Sequence, residues 1–291
     1  MSGMTTPTKA PSIVLSPRLG GGRTLESVAR RCLEHTDANE PLLDAHGDHE
    51  ALHQFRVGYR RLRSLFSLAR EVSRADPEAR RLKAQLRELT VAFGPARDLD
   101  VFLEGHPDLS PTNAARLDDA RVTAYSEALE FLHSPEWAQT RVDLDEWLRN
   151  GSYRDLLGTG TWSGRAWTAG ALERRRKRIR TMSRRLADLS DHDRHQLRIE
   201  AKKVRYGCQF FGTMWPRTAS DALVMEKTLG ALQDRLGALN DLATWSRLVD
   251  LTGVTDLLPP EVDVEAELEA AQELADRIAQ LPGFWEATLQ K

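Results

Sequence analysis

The chain carries one basic segment twice, HQFRVGYRRLR from His53 to Arg63 and HQLRIEAKKVR from His195 to Arg205. Both copies run His, Gln, apolar, Arg, apolar, then a cluster of Arg and Lys ending in Arg, and such agreement within one chain marks an internal duplication. A duplicated element must be accommodated twice, so the segment predicts two similar halves, each presenting a basic helix.

At about 100° per residue, with His53 at zero, Arg56, Arg60 and Arg63 fall near 300°, 340° and 280°, one narrow face. Phe55, Leu62 and Phe66 fall on the opposite side and make a core stripe, with Tyr59 also angled toward the core. In the second copy His195, Arg198, Lys202 and Arg205 take the basic angles, and Leu197 and Val204 the apolar ones. Arg61 and Lys203 stand apart at about 80°. From His53 to Arg63 the rise is about 15 Å, a column suited to an extended polyanion and longer than a single phosphate needs. A charged helix face is ordinarily just solvated. Here the motif recurs, and no acid lies between His53 and Arg63 to balance it, although Glu200 sits within the second copy.

Net charge hides this polarity. The formal total is −2, yet residues 171–205 hold 13 Lys and Arg against 5 Asp and Glu, a local +8, and residues 219–291 hold 5 against 14, a local −9. Local potential governs ligand capture more than net charge does. The two cysteines, Cys32 and Cys208, form no Cys-x-x-Cys motif or disulfide framework, which fits a reducing compartment. No apolar stretch is long enough to span a bilayer and no signal segment is recognisable, so the expected location is the cytoplasm.

The periodicity is helical almost throughout, giving an all-α expectation with helices near 24–36, 48–73, 77–93, 97–104, 112–133, 135–149, 166–188, 192–214, 219–236, 240–252 and 261–281. Residues 1–22, with Pro7, Pro11, Pro17 and Gly20 to Gly22, read as a disordered lead. Residues 23–150 form a first helical half, 151–165 a Gly, Ser and Thr-rich linker, and 166–291 a second half. The repeat extends beyond the basic helix: LTVAFGPARDLDVF from Leu89 aligns with LQDRLGALNDLATW from Leu232, setting Gly94 against Gly237 and Asp98 against Asp241. Pro135-Glu136-Trp137 echoes Gly283-Phe284-Trp285. The run RRRKRIR from Arg174 adds a further basic helix, whose apolar stripe of Leu172, Ile179, Met182 and Leu186 includes Arg175, with Arg178 on its border. A buried-face arginine needs a carboxylate or an anionic ligand, so Arg175 and Arg178 join the candidate set.

These motifs, H-x-x-R-V-x-x-R-R-L-R, F-G-x-A-R-D-L-D-V, H-x-L-R-I-x-A-K-K-V-R-Y and L-G-x-L-N-D, resemble the CHAD family, the conserved histidine alpha-helical domain, across residues 24–290. The resemblance implies two four-helix bundles related by a pseudo-twofold, with a basic groove or pore between them that binds inorganic polyphosphate. It also implies association with polyphosphate granules and no catalysis, cofactor or metal. Carried over by motif, the ligand residues are His53, Arg56, Arg60, Arg61 and Arg63, with His195, Arg198, Lys202, Lys203 and Arg205. Oligomeric state is left open, and the arginines rank above the histidines as ligand carriers.

Three rivals follow from the same residues. A nucleic-acid module would need aromatics beside the cations for base stacking, and the basic faces have none. A phosphoryl-transfer enzyme using His53 or His195 would need a phosphate loop or positioned carboxylates. No G-x-x-x-x-G-K-[ST] occurs, and Asp98 and Asp100, two apart on a helix, diverge by about 200°. Asp98 and Asp241 are expected to brace arginines or cap a helix. A metal site at His49 and His53, with His46 before them, has no second-half counterpart beyond His195.

Overall fold

The computed structural model describes residues 6–43, 48–106, 108–161, 163–252 and 261–289, without the side chains at 240–244, 246–248 and 250–252. The chain is all-α, and no strand occurs among the described residues. In order the helices are α1 (Gly21–Asn39), α2 (His49–Leu68), α3 (Arg70–Ala75), α4 (Pro77–Ala92), α5 (Gly94–Gly105), α6 (Pro111–Leu132), α7 (Pro135–Asn150), α8 (Tyr153–Leu156), α9 (Ser163–Met182), α10 (Asp191–Phe211), α11 (Ala219–Thr252), α12 (Val264–Gln280) and α13 (Glu286–Leu289).

The basic segments form α2 and α10, each started by the residue type that suits a helix N-cap. Asp48 accepts from the backbone N–H groups of Glu50 and Ala51, and Ser190 from that of Asp193. Their apolar stripes are buried as the periodicity requires: Phe55, Tyr59, Leu62 and Phe66 on α2, Leu197, Ala201 and Val204 on α10. Helices α1, α2, α4 and α7 pack in one group and α9 to α12 in another. The halves are not separate, because α2 packs on α10 and α1 on α9. The two echoed tryptophans, Trp137 and Trp285, are both core residues.

Two regions depart from expectation. From residue 6 the lead has no regular secondary structure before α1, yet it packs on the fold rather than standing disordered: Ile13 and Leu15 are buried, the Leu15 N–H donates to Thr213 Oγ1 at 2.9 Å, and Thr8 N–H to Asn39 Oδ1 at 2.9 Å. Alternating apolar residues at 13 and 15 outweigh the prolines, which suit an extended path. The 151–165 segment contains α8 with fully buried Tyr153, and its Ser163 Oγ accepts from the Gly21 N–H at 2.8 Å, so it is part of the packing rather than a free linker.

The repeat is also asymmetric at its glycines. In the first half α4 ends at Ala92 and α5 restarts with Pro95 in its first turn, whereas residues 219–252, expected as two helices, form one. Pro95 has no N–H to continue the ladder, while its second-half equivalent, Ala238, continues it.

Candidate functional site

Arg56, Arg60 and Arg63 of α2 lie alongside Arg198, Lys202 and Arg205 of α10 closely enough to repel one another. Burial, then the charges of Arg60, Arg198, Arg205 and Arg56, push the Lys202 ammonium down to about 7. Burial, then Arg60, lowers the Arg56 guanidinium to about 10, with Arg97 and Arg63 adding to the repulsion and Asp98 opposing it. Arg63 is lowered by burial and by Arg87 and Arg60, and Lys83 by burial and by Lys203, Arg175 and Arg63. Like charges held together this way raise the energy of the empty protein and favour an anion among them.

Each half fixes its arginines differently. In α2, Arg56 Nη1 donates to the Thr90 carbonyl at 2.9 Å and Arg63 Nη1 to the Thr90 hydroxyl. The Thr90 carbonyl belongs to the last turn of α4, where backbone acceptors lack helical partners and the dipole favours cations. In α10, Arg198 and Arg205 lie over glycines of α11. A Cβ placed on Gly237 would stand 3.6 Å from Arg198 Nη2, and one on Gly230 3.7 Å from Arg205 Nη1. Both pairs are seven residues apart, so two turns of one helix match two turns of the other. The glycine of the L-G-x-L-N-D segment thus lies in van der Waals range of a guanidinium, at distances that a Cβ would also tolerate.

Next to this cluster lies a cavity of about 760 Å³ whose fifteen lining residues include ten cations and no acid. Arg60 and Arg63 reach it from α2, Lys202 and Lys203 from α10, and Arg175 from α9. The other five, Arg70, Arg74, Arg80, Lys83 and Arg87, come from α3 and α4. No aromatic ring lines it, and its apolar lining is only Ala84 and Ile199. The α3 and α4 cations escape the duplication argument because they have no counterpart in the second basic helix. A signal existed: Arg80, Lys83 and Arg87 recur at helical spacing opposite Leu82, Leu86 and Leu89. Arg97 was also missed, and it acts on His53 and Arg56 from α5.

The remaining candidates sort by what they touch. His53 is half-buried, and burial, then Arg97, hold its imidazole below the usual range. His195 is exposed, and neither histidine lines the cavity. Arg175 has its carboxylate already: Nη1 contacts Glu200 Oε2 at 2.8 Å and Oε1 at 3.1 Å, and Nη2 donates to the Ser67 carbonyl at 2.6 Å. Lys203 Nζ donates to the same Glu200 at 2.9 Å, and Arg178 Nε lies 3.6 Å from it. Arg178 is exposed and lines a smaller neighbouring cavity with Arg70 and Arg174.

Arg61 is placed apart from the other candidates. It is buried and turned away from the cationic cavity, its guanidinium 5.3 Å from the centre of the Phe210 ring. Its position on the helix, about 100° to 160° from the three arginines of the basic column, carries it to the other side of the α2–α10 pair. Arg176, next to Arg175 on α9, is buried and pairs with Glu286 at 2.7 Å.

Of the acidic candidates, Asp100 is held within the fold. Asp100 is buried, with Oδ1 accepting from Arg121 Nε at 2.7 Å and Oδ2 from the Tyr125 hydroxyl at 2.8 Å, so both oxygens are engaged within the fold. Asp98 lies inside α5, too late to cap it, and its charge favours the protonated Arg56. The Asp241 side chain and His46 lie outside the described residues. His49 Nδ1 is 2.5 Å from Glu104. No helix among the described residues is long and apolar enough to cross a membrane.

A solved crystal structure has this architecture. The crystal structure of the CHAD domain from the plant Ricinus communis superposes with a TM-score of 0.74 at 26% identity, over 97% of this chain and 94% of that one. PptA from Streptomyces chartreusis is similar over 94% of this chain and all of its own, with a TM-score of 0.49 and 17% identity. No curated protein matches the chain. The family model for the CHAD domain matches residues 27–250, and with this fold and these motifs the chain belongs to the CHAD domain family.

Proposed function

We propose that this protein binds inorganic polyphosphate along the face formed by α2, α4 and α10, without catalysing a reaction on it. The observation that carries the reading is the lining of the cavity: ten cations, no acid and no aromatic ring. Polyphosphate is a flexible polyanion without bases, so it asks for many guanidinium and ammonium donors and nothing on which to stack. A single-stranded nucleic acid would use aromatic platforms, which this lining lacks. The engagement of Asp100 by Arg121 and Tyr125 weighs against an Asp98–Asp100 metal clamp for phosphoryl transfer. In this reading the protein works in the cytoplasm on polyphosphate granules, with neither cofactor nor metal.

Filter binding of polyphosphate across a salt series tests the site. Replacing Arg56 and Arg198 together by alanine is expected to weaken binding and to flatten the dependence of log affinity on log salt by roughly 1.5, about 0.7 to 0.9 per lost contact by analogy with nucleic acids. Unchanged affinity and slope in that double variant contradict the assignment. RNA matched in charge should compete poorly, and a better RNA ligand would favour the nucleic-acid reading.

Binding should also take up a proton. Lys202 is lowered to about 7 in the free protein, and phosphate oxygens beside it raise its pKa again. Affinity is therefore expected to fall as pH rises from about 7 toward the ordinary lysine range, where the free protein has lost a charge that the complex must recover. In the free protein the linkage runs oppositely. The unfolded chain holds the Lys202 proton up to about 10.5, so the destabilisation from this ammonium is complete below about 7 and fades above it. Calorimetry in buffers of different ionisation enthalpy should show the proton uptake, and Lys202→Arg should remove it while retaining affinity.

A further inference from the structure

On the side of the α2–α10 pair away from the cationic face lies a second cavity, of about 450 Å³, and the buried Arg61 is on its wall. Pro11 and Ile13 of the ordered lead form one side, and Cys208, Ala222 and Leu223 form much of the rest. A buried guanidinium with no counter-ion is costly. Arg61 is 3% exposed and has no ion pair among the described residues; its Nε is buried without a hydrogen-bond partner, and its guanidinium lies over the face of Phe210. Glu226, the acid on the lining, accepts instead from Gln209 Nε2 at 2.7 Å.

The repeat shows what is missing. Arg61 is the counterpart of Lys203, and Lys203 is neutralised by Glu200 three residues earlier on its own helix. The residue three before Arg61 is Gly58, the counterpart of Glu200. No side chain can replace it cheaply, since a Cβ there would stand 2.4 Å from Thr36 Cγ2. Close packing of α1 on α2 thus removes the internal carboxylate that the other half supplies. A mainly apolar chamber with few charged groups, here Arg61 and the Gln209-bound Glu226, is the usual composition of a small-molecule site, and its volume falls in the usual range.

We propose that this cavity binds a small apolar carboxylic acid, with the carboxylate on Arg61 in the place Glu200 holds beside Lys203, and the hydrocarbon body against Ile13, Ala222 and Leu223. The site is separate from the cationic face and does not depend on the polyphosphate reading.

Octanoate, kept below its micelle threshold, is the probe, with 1-octanol and inorganic phosphate as controls, and calorimetry on the full chain as the readout. Octanoate is expected to bind at least about tenfold more tightly than either control, the worth of one charge-assisted contact. Arg61→Met should cost octanoate the same tenfold and leave polyphosphate binding unchanged. Leu223→Glu, at an exposed rim position and so without risk to the core, should also weaken octanoate. Saturating polyphosphate should leave octanoate affinity unaltered. The proposal is overturned by absence of octanoate binding, by equal binding of octanol or phosphate, by wild-type octanoate affinity in either variant, or by competition from polyphosphate.

Discussion

In the Arg60→Glu, Lys202→Glu protein, polyphosphate affinity is expected to fall by at least about a thousandfold while the free protein becomes more stable. Each hydrogen bond to a charged partner contributes roughly 1.5 to 3 kcal/mol, so losing two gives about two to four decades of affinity before the new repulsion is added. The stability gain has a separate origin. Arg60 is the first of the neighbouring charges that lower Lys202 and Arg56, and both substitutions convert repulsion into attraction around Arg56, Arg198 and Arg205. A gain of about 1 kcal/mol is reasonable for partly exposed pairs. Urea denaturation without ligand and filter binding with it measure the two effects. Affinity lost together with stability would mean that the substitutions had only damaged the fold.

Glu200→Ala should have the reverse profile, a free protein weakened by about 3 kcal/mol or more. The Glu200 carboxylate is buried and shared by Arg175, Lys203 and Arg178, so its removal leaves three cations facing one another. Burial alone would raise its pKa, yet the hydrogen bonds from Lys203 and Arg175 hold it below the ordinary carboxylate range. Its contribution is therefore complete above the unfolded value of about 4.5 and disappears as pH falls through the lower folded one. Polyphosphate should stabilise the variant more than the parent, because phosphate oxygens can stand beside Arg175 and Lys203 where the carboxylate was. A loss under about 1 kcal/mol, or equal stabilisation of both proteins by ligand, would show that Glu200 does not hold these cations.

These two effects identify which parts of the site could be read before any coordinates. The columns from His53 to Arg63 and from His195 to Arg205 follow from the rule that a helix places residues three and four apart on one face whatever surrounds it, and of them Arg60, Arg63 and Lys202 line the cavity. The same rule set Arg61 and Lys203 apart from the columns, but it could not tell that they meet different neighbours. Lys203 reaches the cavity and Glu200, while Arg61 is carried to Phe210 and a separate chamber. The difference lies in the packing of α1 at Gly58, a contact between residues distant in sequence.

The sequence by itself determined the helical class, because that depends on periodicity, and it carried the two matching basic segments as a pattern along the chain. It also held the reason that one half breaks at Gly94 and the other does not, in the presence of Pro95 and the absence of its equivalent. Only the tertiary structure decided that α3 and α4 complete the cationic lining, that Glu200 already occupies Arg175, and that the lead folds over a second cavity. Each of these is fixed by the approach of one helix or segment to another. Burial and Coulomb energies at such contacts depend on distances across the fold, which local spacing does not specify.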